Sequence, residues 1–281
     1  MTEVAANTVN TIVETDKNLL LGAYQTTDGT KGRFMTGTIY KFKIIEGNMS
    51  DDDCLAWMGV QSDRTVITSE STPLFKVNSA CLNTETNTLT DSVAGISAEL
   101  SGAPTVGDNQ MIFTANDTFN FDVSSLGLAS KNITFKIKFT PTIIDANFRN
   151  VFLLGSDTSF ANSYNCYVRD TLTRIQFGSI EGGSTNNNIS NATISNWDSG
   201  GNNFNVSALT VNTECEIIIS IKNSTHDLRI FKDGELVQNG RLETIRNILR
   251  LGNVEGISRF IGKYSLIELY HGFMDSYISL P

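Results

Sequence analysis

Charge, thiol and imidazole are all sparse in this chain of 281 residues. Charged side chains make up 18% of it, and the formal net charge is −9. No Lys/Arg cluster stands against that balance, which excludes a broad basic surface for nucleic acid or anionic lipid. No apolar run is long enough to span a bilayer. The opening "MTEVAANTVNTIVETD" has neither the basic start nor the apolar core of a secretory signal, so a chain made in the cytoplasm is expected. Cys54, Cys81, Cys166 and Cys215 form no CxxC pair, and His226 and His271 are the only imidazoles. Reduced, partly buried thiols follow, and neither a disulfide framework nor a Cys/His zinc site is expected. The N-x-S/T triplets at Asn132, Asn188, Asn191, Asn205 and Asn223 follow from composition and imply no glycan.

Amphipathic helical periodicity is also missing, and alternation takes its place. In "ITFKIKFT", Ile133, Phe135, Ile137 and Phe139 fall on one face, with Thr134, Lys136, Lys138 and Thr140 on the other. Shorter strands follow in "RNVFLLG", "NCYVRD" and "TRIQFGS". "CEIIISIK" reads as a buried strand, and "LRIFKDGELV" as a hairpin turning at Asp233-Gly234 in type I′ geometry. The residues between, rich in Asn, Thr and Ser, suit turns and strand faces. The spacing predicts an all-β domain over 74–281, an antiparallel β-sandwich or barrel. A polar stretch, 59–73, is the expected linker, and 1–58 a small N-terminal β segment.

That N-terminal segment repeats the chain's end. "GTIYKFKIIEGNMS" (37–50) aligns without a gap to "GKYSLIELYHGFMD" (262–275). Gly37/Gly262, Gly47/Gly272 and Met49/Met274 are identical, and Ile39/Tyr264, Phe42/Ile267, Ile44/Leu269 and Ile45/Tyr270 are apolar pairs. Upstream, Leu19–Gly22 answers Leu249–Gly252, and Arg33-Phe34 answers Arg259-Phe260. Three strands cannot bury both faces of a sandwich. The segment is therefore expected to complete an edge of the main domain or a neighbouring subunit, with a homo-oligomer as one result.

The order of features in 74–281 resembles laminin-G-like, concanavalin A-like jelly-roll domains. The resemblance rests on "LFKVNSACLNTETNTLTDSVAGISAELSGAPTV", the strand "ITFKIKFTP", the hairpin "IIISIKNSTHDLRIFKDGELV" and the closing pair "LRLGN…RFIGKYSLIELYHGFMD". Domains of this style, Asn/Thr-rich and without a signal, occur in tail, fibre and head-decoration proteins of bacteriophages. The resemblance thus implies a non-enzymatic structural or attachment component of a virion, binding other virion proteins and cell-surface carbohydrate. A monomeric carbohydrate-binding module is the alternative, and a polysaccharide-degrading enzyme a third reading.

Catalytic patterns are thin. No strand carries the closely spaced carboxylates of a glycosidase, and Glu216 and Glu268 stand isolated. His226 and Asp227 lie in a hairpin turn, far from any G-x-S-x-G elbow. Calcium is compatible with this fold family, with Asp145, Asp157, Asp170 and Asp198 as loop carboxylates, but their spacing fixes no site. The most suggestive stretch is "SNWDSGGNNFN". Trp197 offers a face to stack on a sugar, Asp198, Asn202 and Asn203 offer partners for hydroxyls, and the glycines admit close approach.

Overall fold

The computed structural model describes residues 24–25, 31–32, 63, 65–145, 147, 149–156, 163–169, 174–180, 189–190, 204–242, 248–252 and 259–281. The chain divides into two compact units, Met1–Met49 and Ser50–Pro281. In the first unit the described residues form one antiparallel pair, β1 (Tyr24–Gln25) with β2 (Lys31–Gly32). The "GTIYKFKIIEG" stretch lies outside the described residues.

The second unit opens with β3 (Phe75–Val77), β4 (Leu82–Asn83), β5 (Thr88–Leu89), β6 (Glu99–Ser101), β7 (Thr105–Gly107), β8 (Gln110–Phe113) and β9 (Thr118–Asp122). It continues through β10 (Ile133–Pro141), β11 (Arg149–Gly155), β12 (Ser163–Arg169), β13 (Arg174–Ile180), β14 (Ile189–Ser190) and β15 (Phe204–Ala208). It ends with β16 (Cys215–Ile221), β17 (Asp227–Lys232), β18 (Glu235–Leu242), β19 (Arg250–Gly252) and β20 (Gly262–His271). No α-helix occurs among the described residues, and no helix there is long and apolar enough to cross a membrane.

Two antiparallel sheets hold most of these strands. A nine-stranded sheet runs β14-β18-β17-β16-β10-β20-β8-β7, with β3 also paired to β20. A seven-stranded sheet runs β15-β13-β12-β11-β19-β9-β6. The architecture is the expected antiparallel β-sandwich, and its wrapping is of the jelly-roll type. From β8 to β11 the chain passes from one sheet to the other at every strand. The last two strands then return to the middle of both: β19 enters between β9 and β11, and β20 between β8 and β10. Neither sheet is continuous until the end of the chain is in place.

Sequence alternation explains the core between the sheets. Phe135, Ile137 and Phe139 of β10 face Leu269, Ile267 and Tyr264 of β20 in register, and all six are fully buried. Across the sandwich, Phe135 packs on Phe152 at 4.7 Å between ring centroids, and Tyr264 donates its hydroxyl to the Val151 carbonyl at 2.7 Å. Phe113, Phe119 and Tyr264 meet edge to face at 5.2–5.6 Å, the favoured arrangement for ring quadrupoles. The β17–β18 turn has φ 49° at Asp233 and 89° at Gly234, the positive pair that a type I′ turn requires.

Within the 59–73 stretch, the described residues are laid against this sandwich. Ile67 N–H donates to the Phe273 carbonyl at 2.9 Å, Phe273 N–H donates to the Thr65 carbonyl at 3.0 Å, and Ile67 is buried.

Candidate functional site

The outer face of the nine-stranded sheet gathers charged residues that are far apart in sequence. Antiparallel register sets Lys136 opposite Glu268, Lys138 opposite Glu216, and Glu268 opposite Lys76. Lys136 Nζ lies 3.6 Å from Glu268 Oε2 and 3.9 Å from Glu216 Oε2. Glu268 Oε1 lies 2.8 Å from Lys76 Nζ, an ion pair whose angle falls short of a hydrogen bond. The Tyr270 hydroxyl donates to Glu268 Oε2 at 2.7 Å. Burial and that neighbouring carboxylate push the Tyr270 phenol well above its usual range.

The centre of this layer, Lys136 and Glu268, is covered, while Lys76 and Lys138 at its rim are partly exposed. The C-terminal tail crosses it, with Met274, Ile278 and Leu280 packed against Ile67, Ile218, Phe231 and Tyr270. Lys136 Nζ donates to the Leu280 carbonyl at 3.3 Å, and Met274 N–H donates to Ser220 Oγ at 2.7 Å. Strand β10 is therefore buried on both faces except at Lys138, which stays partly exposed. Glu216 and Glu268, isolated in the sequence, share one lysine in the fold. Glu268 is 0% exposed and cannot meet an external substrate.

Other chemically suggestive groups are likewise engaged. Asp91 accepts from the backbone N–H groups of Val93, Ala94 and Ile96, and Asp117 from those of Ala103 and Thr114. Both are buried loop staples. Asp145 pairs with the Arg149 guanidinium, which holds its carboxyl below the usual range. Asp157, Asp170 and Asp198 lie outside the described residues. Among the described residues, no group of three or more His, Cys, Asp or Glu is placed to hold a metal ion. His226 sits at φ 62° in the β16–β17 turn, and Asp227 accepts from Thr225 Oγ1. Burial raises the Cys166 thiol well above its usual range and takes Cys215 to about 12, which leaves both unreactive. Asn132 is buried and donates through Nδ2 to the Asp63 and Thr65 carbonyls, so that N-x-T triplet serves packing.

His271 has a partner that strand patterning did not show. Its Nε2 lies 2.7 Å from Asp63 Oδ2, which also accepts from the Asn132 N–H at 2.6 Å. Burial alone would raise the Asp63 carboxyl, but hydrogen bonds from Thr65, Asn132 and His271 outweigh it, and the net shift is downward.

The sugar-type residues Trp197, Asp198, Asn202 and Asn203 lie outside the described residues, but both ends of their stretch are placed. The chain leaves β14, the outermost strand of the nine-stranded sheet, at Ser190. It resumes at Phe204 in β15, the outermost strand of the seven-stranded sheet. The stretch 191–203 thus joins the two terminal strands of the sandwich.

No protein-family model matches the chain, and no curated protein sequence matches it. Solved structures do. The sialidase of Trypanosoma rangeli in complex with the inhibitor DANA matches with a TM-score of 0.53 and 9% identity, over 75% of this chain and 33% of that one. The binding domain of botulinum neurotoxin DC in complex with SialylT gives a TM-score of 0.48 and 8% identity, over 72% and 49%. Domain 4 of a GH43 extracellular arabinanase from Geobacillus stearothermophilus, in complex with arabinotriose, gives 0.47 and 12%, over 73% and 94%. This chain spans about a third of the sialidase's length. At such identities the likeness is one of fold, the β-sandwich.

Proposed function

We propose that this chain is a non-catalytic binding module that takes carbohydrate at the sandwich edge where residues 191–203 join β14 to β15. One observation carries this reading: the stretch with sugar-binding chemistry connects the outermost strands of both sheets. Loops at the margin of a rigid sandwich are a recurrent place for binding residues. The alternatives on the described surface are engaged elsewhere. The inner faces form the core, the outer charged layer lies under the tail, and Glu216, Glu268, Asp91 and Asp117 are held by lysines or backbone amides. Trp197 stacks on a pyranose face while Asp198, Asn202 and Asn203 accept and donate to hydroxyls. The Asn/Thr-rich, acidic composition suits a virion surface, where such a module attaches the particle to a cell-surface glycan or to neighbouring virion proteins.

Isothermal titration of the full chain with sialyllactose, arabinotriose and bacterial surface polysaccharide tests this. The expected result is saturable binding to at least one of them, weakened about tenfold or more in Trp197→Ala at unchanged thermal midpoint. Binding that Trp197→Ala leaves intact, or no binding across the panel, overturns it.

A further inference from the structure

Residues 272–281 form a strap over a part of the outer face that buries charge. Past β20 the Met274 N–H donates to Ser220 Oγ on β16 at 2.7 Å, and Asp275 accepts from the Arg229 guanidinium on β17 at 3.0 Å. Tyr277 packs beside Phe231, with 6.1 Å between ring centroids, and donates its hydroxyl to Glu216 Oε1 at 3.2 Å. The chain then turns back to β10, where the Leu280 carbonyl accepts from Lys136 Nζ at 3.3 Å.

Beneath the strap, cations outnumber carboxylates. Lys76, Lys136 and Lys138 face Glu216 and Glu268 at 2.8–3.9 Å. The lysines differ in their access to water. The side chains of Lys76 and Lys138 are 32% and 34% exposed, whereas that of Lys136 is 4% exposed. Lys76 and Lys138 can turn outward when a carboxylate loses its charge. Lys136 lies under the strap and cannot.

The other ionisable groups around the strap have partners of their own. Arg229 pairs with Asp275, Lys232 with Asp233, and His271 with Asp63 beside the strap's first residues. The Tyr270 phenol, pushed well above its usual range, remains a donor to Glu268 Oε2. Among the described residues, the carboxylates that offset Lys136 are Glu268 at 3.6 Å and Glu216 at 3.9 Å.

We propose that residues 272–281 are an acid-released strap: protonating Glu268 and Glu216 leaves Lys136 a buried cation without a counter-charge, and the strap lifts to hydrate it while the core stays closed. A buried charge that loses its partner is strongly destabilising. The inner face is packed with hydrocarbon and has no carboxylate to lose. Lifting uncovers Ile218, Phe231 and Tyr270, so this apolar part of the outer face is hidden at neutral pH and presented in acid. The device is independent of the glycan reading and uses other residues.

Hydrogen exchange read by mass spectrometry tests this on the full chain, with peptides of 272–281 compared with peptides of β11 from about pH 7 to about pH 3.5. Taking the ratio to β11 in the same sample offsets the pH dependence of intrinsic exchange. Strap protection is expected to fall about tenfold or more relative to β11 across that range. Glu268→Gln, uncharged at every pH, should show a loosened strap already at neutral pH. Lys136→Met removes the buried cation and should hold one strap-to-β11 ratio throughout, whatever its absolute level. Strap protection that does not fall, that falls only together with β11, that is native-like in Glu268→Gln at neutral pH, or that falls equally in Lys136→Met overturns the proposal.

Discussion

Phe135 and Lys136 are neighbours in β10, both are buried, and they point to opposite faces of the same sheet. The inner face is hydrocarbon against hydrocarbon, so each contact needs only shape. The outer face is an ionic layer under the ten-residue tail 272–281, where each charge depends on a particular partner. Burial is similar on the two sides, but the consequences of removing one group are not. An apolar core loses transfer and packing energy, whereas an ionic layer left with one partner keeps an uncompensated charge.

The largest effect is expected from the inner face. Phe135→Ala removes a ring packed at a tilt, 4.7 Å from Phe152, and should cost about 4 kcal/mol, read from the urea midpoint at constant m. On the outer face, Glu268→Ala takes from Lys136 the nearer of its two carboxylates and should cost about 3 kcal/mol. The distinguishing result is the double variant Lys136→Met/Glu268→Leu, which should recover most of that loss, because the pair is removed together. A third variant ends the chain at Tyr277, which takes away Ile278 and Leu280 and the carbonyl that accepts from Lys136. It should cost about 2 kcal/mol and speed hydrogen exchange in the outer-face strands.

The smallest effect is at Asp63, where the outer layer ends. Its folded pKa lies below the ordinary 3.8, so the unfolded chain takes up the proton first as pH falls. Its contribution is complete above pH 3.8 and is lost as pH drops through the lowered folded value. Asp63→Asn should cost about 1 kcal/mol near neutral pH and flatten the acid limb of the stability curve. An unchanged acid limb would separate Asp63 from the layer.

Local signals in the sequence were reliable where structure is local. Asp233-Gly234 reads as a type I′ turn, and alternation places Phe135, Ile137 and Phe139 in the core, because each depends on its neighbours in the chain. The closing pair was visible as a motif. Its insertion at the centre of both sheets was not, because that is a matter of which strands arrive first. Glu216 and Glu268 look isolated because antiparallel register, not spacing, brings them to Lys136. The tail's cover over the Thr/Lys face was equally hidden, since "SYISLP" carries no strand pattern of its own. The candidate glycan residues were found from composition alone, and the fold adds where the ends of their stretch are anchored.

The binding account can be tested at one side chain. Trp57 and Trp197 are the only indoles, so in Trp57→Phe all tryptophan emission reports Trp197. Titrating that protein with sialyllactose, arabinotriose and bacterial surface polysaccharide should give a saturable quench or blue shift with at least one ligand, at the midpoint found by calorimetry. Emission that stays flat while calorimetry shows binding would contradict the account.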